Sequence, residues 1–132
     1  MRFASELYEE MVAHAREEAP NECCGLVASR DGEAVKVYRA VNVAASPFRF
    51  EIDGREAYEL NNEIEDAGLE LGAIYHSHTR TEPEPSQTDI NFGEWWPGVL
   101  WVIVGLAGEG PPKVRAFTNR DGQVAEAEMA VE

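Results

Sequence analysis

The chain has 132 residues, an apolar fraction of 44% and a formal charge of -14 at pH 7. This length and composition predict one folded domain over residues 1–132 and exclude a disordered chain. The acidic excess argues against nucleic acid and anionic membranes as partners, because phosphate binding requires clustered lysine and arginine side chains. It favours solubility, or a basic protein as partner.

The N-terminal segment predicts neither a signal peptide nor a membrane anchor. Residues 1–5 open directly into an amphipathic pattern. No apolar run approaches the roughly 20 residues that a membrane-spanning helix needs. We therefore expect a cytoplasmic protein.

The first predicted element is an amphipathic helix from Ala4 to Ala19, in which apolar residues recur at spacings of three and four. Pro20 ends this periodic pattern. His14 lies at the flank of the apolar stripe, and we expect it to be a surface or boundary residue.

The adjacent Cys23 and Cys24 are the only cysteines of the chain. A disulfide between neighbouring residues would be strained and would close no loop. The apolar residues that follow favour buried structural thiols at the start of a strand, with a thiol ligand or nucleophile as the alternative.

Two further helices follow from apolar periodicity and capping signals. One spans residues 53–67, with Asp53 as N-cap and Glu56 reaching back in a capping box. The other is short and runs from Ser86, its N-cap, to about Gly93.

Alternating or continuous apolar runs predict a mixed sheet of about six strands. These strands span residues 24–29, 34–43, 69–75, 99–104, 114–118 and 124–128. Asp-Gly pairs at 31–32 and 121–122 are hairpin turn signals. A short additional strand at 48–50 would place two phenylalanine rings on one face. This order of elements predicts an α/β layered domain.

The sequence His76-Ser77-His78 stands at the end of a predicted strand. Because side chains alternate across a strand, both imidazoles project from one face and can reach a single ion about 2 Å from each nitrogen. Asp89 follows after ten intervening residues, enough for the chain to curl back over the strand end. Two histidines and one carboxylate leave a coordination position open, which is typical of catalytic zinc.

Such a site needs a general base for the water at the open position. Glu22, Glu82 and Glu84 are all candidates on chemistry alone. Ser86 is a candidate donor to the negative charge that develops on an attacked carbonyl. Each feature also has a plain structural interpretation, since Ser86 can simply cap a helix and Asp89 can favour its dipole. The combined spacing favours the metal site.

The pattern His-x-His-x(10)-Asp, with a serine three residues before the aspartate and a glutamate just before an upstream strand, resembles the JAMM (MPN+) metallopeptidase motif. The resemblance implies a cytidine-deaminase-like, three-layer α/β/α fold over almost the whole chain. It implies that one Zn²⁺ per chain is bound by His76, His78 and Asp89. It further implies that Glu22 handles protons for the zinc water and that Ser86 stabilises the tetrahedral intermediate.

Within this family, the runs at 20–25 and 74–79 are similar to those of short bacterial peptidases that release cysteine from a ubiquitin-like sulfur-carrier protein. The resemblance implies hydrolysis of the amide bond after the carrier's C-terminal Gly-Gly tail, in cysteine biosynthesis. Thr79 stands where many members have proline, which argues against the eukaryotic deubiquitinase branch. The alternatives are an isopeptidase for other small-modifier conjugates, an Fe(II) enzyme with a 2-His-1-carboxylate site, and a non-catalytic scaffold.

Overall fold

The computed structural model describes residues 1–132 and contains three α-helices and one eight-stranded mixed sheet. The helices are α1 (Ser5–Glu18), α2 (Gly54–Asp66) and α3 (Gln87–Gly93). The strands are β1 (Arg2–Phe3), β2 (Cys24–Arg30), β3 (Glu33–Ala40), β4 (Glu70–His78), β5 (Leu100–Gly105), β6 (Lys113–Arg120), β7 (Gln123–Ala127) and β8 (Ala130–Val131). Every helix begins and ends within one residue of its predicted position.

The strands lie in the order β7-β6-β5-β4-β2-β3-β1-β8. Neighbours pair antiparallel except where β4 meets β5 and where β1 meets β3 and β8, which are parallel contacts. All six predicted strands form. The two additional strands, β1 and β8, have two residues each, which is too short for a period of two to be recognised in the sequence.

The helices α1 and α2 cover opposite faces of the sheet. Leu26 and Ile74 lie in an apolar cluster with Ile64 of α2. Their neighbours in the strands, Val27 and Tyr75, lie in a second cluster with residues of α1. Because successive strand residues point to opposite faces, the two clusters form the two halves of a three-layer α/β/α domain. The predicted fold class is confirmed.

Two tight hairpins form at the predicted Asp-Gly pairs. Asp31 and Gly32 have φ values of 52° and 78°, and Asp121 and Gly122 have φ values of 54° and 86°. Both central residues of each turn are therefore left-handed, as the type I′ turn requires, and its twist matches that of the flanking strands.

The two edges of the sheet, β7 and β8, are separated in the chain by only Glu128 and Met129. The sheet therefore curls, and Met129 packs against the apolar cluster that contains α1. Ala130 N–H donates to the Met1 carbonyl at 3.1 Å, and the Met1 amino group donates to the Glu128 carbonyl at 3.1 Å. These bonds attach the chain's end to its start.

The predicted strand at 48–50 is wrong. The segment has no strand pairing, and the only β-bridge nearby joins Asn42 to Ile52. Phe48 is 71% exposed and Phe50 is buried, so the two rings do not share a face. The predicted capping box of α2 is also wrong, because the Glu56 carboxylate accepts from Val41 N–H at 2.8 Å instead.

His14 is not a surface or boundary residue. It is 3% exposed, and its Nδ1 lies 2.7 Å from the hydroxyl of Tyr75 on β4. Burial is the main cause that lowers the pKa of His14, so the ring favours its neutral form. Cys23 and Cys24 are buried and free, as predicted.

None of the three helices combines the length and the apolar character that a membrane crossing demands.

Candidate metal centre

Three side chains converge where β4 ends and α3 begins. The Nε2 atoms of His76 and His78 are 3.1 Å apart, and each lies 3.1 Å from Oδ2 of Asp89. All three residues are buried. The alternation of β4 places both imidazoles on one face, and the first turn of α3 places Asp89 opposite them.

The size of this triangle fits one divalent ion. Ligand atoms about 2 Å from a tetrahedral ion lie about 3.3 Å from one another, close to the 3.1 Å between these atoms. Two imidazole nitrogens and one carboxylate oxygen form a donor set that suits zinc and other first-row metals. The structure thus brings the sequence-predicted residues His76, His78 and Asp89 close enough together to hold one metal ion.

Asp89 is held in place by the capping box of α3. Ser86 Oγ accepts from Asp89 N–H at 3.1 Å, and Ser86 N–H donates to Asp89 Oδ2 at 3.0 Å. Burial alone would raise the pKa of Asp89, but the histidines and the Ser86 N–H outweigh it and hold that pKa well below its usual range. The helix-cap and metal-ligand interpretations of this segment therefore both apply, because the bonds that cap α3 also orient the Asp89 carboxylate.

The tautomer of His78 is determined by the backbone of the following loop. Its Nδ1 lies 2.9 Å from the carbonyl oxygen of Glu82. A carbonyl can only accept, so Nδ1 carries a proton and Nε2 can present its lone pair to a cation. Sequence analysis missed this contact, because the acting atom belongs to the backbone and leaves no side-chain signal.

His76 is positioned by packing. Its ring stacks on Phe50, with centroids 4.5 Å apart and planes inclined by 24°. Its Nδ1 has no hydrogen-bond partner. Burial lowers the pKa of His76, which keeps the ring neutral and able to bind a metal.

Glu22 lies at the junction of α1 and β2 and points toward the same centre. It is 4% exposed, and its Oε1 has no hydrogen-bond partner. Ligand atoms of Glu22, His76 and His78 all lie within 4.8 Å of one another. The two histidines can therefore form a donor set with Asp89 or with Glu22. The distances between ligand atoms are shorter in the set with Asp89. Burial is the main cause that raises the pKa of Glu22 to about 8.

The backbone around Glu22 is fixed on both sides. Glu22 N–H donates to the Ser46 carbonyl at 2.9 Å, and the Glu22 carbonyl accepts from Asn42 Nδ2 at 2.9 Å. Cys23 N–H donates to Ser77 Oγ at 2.8 Å. Ser77 could have been noticed in the sequence, because it lies between the two histidines and must point to the opposite face.

The other two candidate bases lie elsewhere. The side chains of Glu82 and Glu84 are exposed. They pair with Lys113 at 3.7 Å and with Arg115 at 3.3 Å. Among the three glutamates that the sequence left open, only Glu22 reaches the histidines.

Comparison with known proteins identifies the family. The model of prokaryotic homologs of the JAB domain, Prok-JAB, matches residues 4–120. This chain belongs to the Prok-JAB family. The predicted membership of the JAMM/MPN+ group is confirmed, and so is the prediction of a hydrolase of the metallopeptidase type.

Three named relatives align with most of this chain. The CysO-cysteine peptidase of Mycobacterium tuberculosis is 33% identical over 129 residues, covering 96% of this chain and 88% of the relative. The probable TtuB-protein conjugate cleaving protease of Thermus thermophilus is 39% identical over 118 residues, covering 89% and 74%. The desampylase of Pyrococcus furiosus is 32% identical over 111 residues, covering 84% and 76%.

Solved structures share this fold. A protein from Desulfitobacterium hafniense, 31% identical, superposes with a TM-score of 0.88 over 100% of this chain and 93% of that chain. A JAB1/MPN domain protein from Archaeoglobus fulgidus, 19% identical, gives a TM-score of 0.64 over 99% and 98%. The second likeness concerns the fold alone.

Proposed function

We propose that this Prok-JAB chain acts as one domain over residues 1–132 and is a zinc metallopeptidase. Its reaction is hydrolysis of the amide bond that joins cysteine to the C-terminal Gly-Gly tail of a ubiquitin-like sulfur-carrier protein. The main support is the triangle of donor atoms 3.1 Å apart with the Glu22 carboxyl beside it. The likeness to a CysO-cysteine peptidase over 96% of the chain supports this substrate. Release of free cysteine would be the final step of a cysteine biosynthesis route in the cytoplasm.

His76, His78 and Asp89 would hold one Zn²⁺ per chain through two Nε2 atoms and Oδ2. When bound, zinc polarises the scissile carbonyl and lowers the pKa of the attacking water toward 7. Three protein ligands of this type leave a coordination position open, as in catalytic zinc sites. The anionic state of Asp89 and the neutral state of His76 suit these roles.

Glu22 is the general base in this proposal. Its carboxylate accepts a proton from the attacking water and returns the proton to the amine of the leaving cysteine. Burial is the main cause that raises the pKa of Glu22 to about 8, while the positive charge of His78 lowers this pKa and the negative charge of Asp89 raises it. A pKa near the working pH is what efficient proton transfer requires.

Ser86 is the proposed donor to the oxygen of the attacked carbonyl. Its Oγ already accepts from Asp89 N–H at 3.1 Å, so the hydroxyl hydrogen is free to donate outward. The residue is exposed at the start of α3. Because the helix cap fixes the donor before reaction, little reorganisation is needed as charge develops.

An isopeptidase for other ubiquitin-like conjugates is the second candidate. The Thermus thermophilus relative, 39% identical, is named for cleavage of TtuB-protein conjugates, and a desampylase is 32% identical. The same residues would act in both reactions. The difference lies in the leaving amine, which belongs to cysteine in one case and to a lysine side chain in the other.

The test is incubation of the zinc-loaded protein with a carrier–cysteine adduct and, separately, with a lysine-linked carrier conjugate. Mass spectrometry should show loss of cysteine from the adduct, and Glu22→Gln with equal zinc content should be slower by about 100-fold or more. Cleavage of the lysine-linked conjugate alone would select the second candidate. Wild-type protein that behaves like Glu22→Gln on both substrates would refute the proposal.

A further inference from the structure

Gly105 lies beside His78 in the parallel pair of β4 and β5. Residues in register on neighbouring strands point to the same face of the sheet. A side chain at position 105 would therefore project from the sheet face on which the His78 ring lies. That place is filled by Pro83. A Cβ at Gly105 would lie 2.9 Å from Pro83 Cδ and 3.0 Å from Cγ. The φ of Gly105 is not positive, so close approach explains this glycine.

Pro83 is bonded directly to the carbonyl group that contacts His78. The Glu82 carbonyl, 2.9 Å from His78 Nδ1, and the Pro83 nitrogen belong to one planar peptide unit. The Cδ and Cα atoms of the proline ring are bonded to that nitrogen and lie in the same plane, so the ring and the carbonyl move together. The packing of Pro83 against β5 therefore sets the direction of the Glu82 carbonyl.

Other attachments of this loop are exposed. The Glu82–Lys113 and Glu84–Arg115 ion pairs lie at the surface, where such pairs contribute about 0–1 kcal/mol. The Thr79 hydroxyl donates to the Pro20 carbonyl at 2.9 Å, also in an exposed position. Pro83 is the buried residue within the segment from Arg80 to Pro85. The contact between Pro83 and Gly105 is thus the loop's buried anchor.

We propose that Gly105 is a positioning residue. Because it has no side chain, Pro83 can pack against β5, and this packing keeps the Glu82 carbonyl in its hydrogen bond with His78 Nδ1. This holds the ring so that Nε2 faces the metal centre. The inference rests on the proposed function in one respect, that His78 is a zinc ligand. Partners that orient a metal-binding histidine typically change metal affinity 10- to 100-fold when lost.

The test compares Gly105→Ala with Gly54→Ala, because a Cβ at Gly54 meets no atom within 4 Å. Both proteins are labelled with ¹⁵N-histidine, loaded with Zn²⁺ and checked for folding by circular dichroism. In Gly105→Ala the His78 Nδ1 proton should exchange with solvent faster than in wild type. Competition with a chelator should give a zinc Kd raised about 10-fold or more. Gly54→Ala should match wild type in both measurements.

A folded Gly105→Ala protein with a protected Nδ1 proton and a wild-type zinc Kd would overturn the inference, as would equal losses in Gly54→Ala. If Gly105→Ala does not fold, the same two measurements are made on Pro83→Ala, because this variant removes the proline ring that packs against β5 and leaves β5 intact. Unchanged exchange and affinity in that variant would also overturn the inference. Wild-type protein with a protected proton and tight zinc binding, but no carrier cleavage, would contradict the proposed function alone.

Discussion

Glu22 combines deep burial with an unpartnered oxygen atom. The side chain is 4% exposed, and Oε1 has no hydrogen-bond partner. Burial raises its pKa from an ordinary 4.5 to about 8. A carboxyl group so costly to ionise is uncommon in a structural role, and it is typical of sites that move protons.

This pKa shift predicts a pH-dependent stability of the metal-free protein. The folded pKa lies above the unfolded one, so folding is favoured by proton binding, and the contribution is lost as pH rises toward 8. Glu22→Gln has no such group. Relative to Glu22→Gln, metal-free wild type should lose unfolding free energy on the order of 1–3 kcal/mol between pH 5 and pH 8.

Urea denaturation of both proteins at the two pH values measures this difference, and the comparison cancels groups that titrate in both. A constant difference between wild type and Glu22→Gln would show that Glu22 is solvated or paired in the metal-free protein. That result would contradict the burial on which the assignment of a base depends.

At the residue scale, the sequence predicted what depends on local geometry. His76 and His78 follow from the period of a strand, and Asp89 follows from a helix start capped by Ser86. Glu22 was chosen among the candidate bases only through family resemblance, because its approach to the histidines depends on the packing of distant segments. His14 was wrongly placed for the same reason, since its hydrogen-bond partner Tyr75 is 61 positions away.

At the scale of elements, the loop between β3 and α2 is organised by Asn42. Its Nδ2 donates to the carbonyls of Glu22 and Arg49, at 2.9 and 3.1 Å, and its Oδ1 accepts from two backbone N–H groups of the same loop. One amide side chain therefore connects the loop to the backbone of Glu22. It makes no contact with the triangle of donor atoms.

Asn42→Ala should therefore slow hydrolysis without weakening zinc binding. Misplacing the base by even 1 Å can cost about 100-fold in rate, and we expect at least a tenfold loss. Zinc Kd and the rate on the carrier conjugate measure the two effects. Asn61→Ala is the control, because Asn61 bonds only to the exposed Glu65 at 3.3 Å. An unchanged rate in Asn42→Ala would show that the loop does not position Glu22.

The elements that the sequence predicted correctly are those with a repeated pattern. The helices and the six longer strands show apolar periodicity over several residues. The segment at 48–50 lacks a repeat, and its alternating aromatics were mistaken for a strand, whereas Phe50 serves to stack on His76. The carboxylate of Glu56 does not form the expected capping box, because it accepts a hydrogen bond from the backbone of Val41, a residue distant in the sequence.

For the whole molecule, the curled sheet depends on the pairing of β8 with β1. Ala130 N–H donates to Met1, whereas the geometry of a parallel pair turns the N–H of Val131 away from β1. Ala130→Pro should therefore lower the unfolding free energy by about 1–3 kcal/mol. Val131→Pro should cost less. Urea denaturation of both variants tests this, and equal effects would show that the Ala130–Met1 hydrogen bond adds little stability.

Zinc content measured by native mass spectrometry at one buffered free-zinc concentration tests the central claim most directly. We predict one Zn²⁺ per chain in wild type and in Glu22→Gln, and none in Asp89→Ala or His76→Ala. Zinc that remains in Asp89→Ala but is lost in Glu22→Gln would instead assign the ligands to Glu22, His76 and His78, which also lie within 4.8 Å of one another. That result would contradict Glu22 as the base, and wild-type protein without zinc would contradict the metal centre itself.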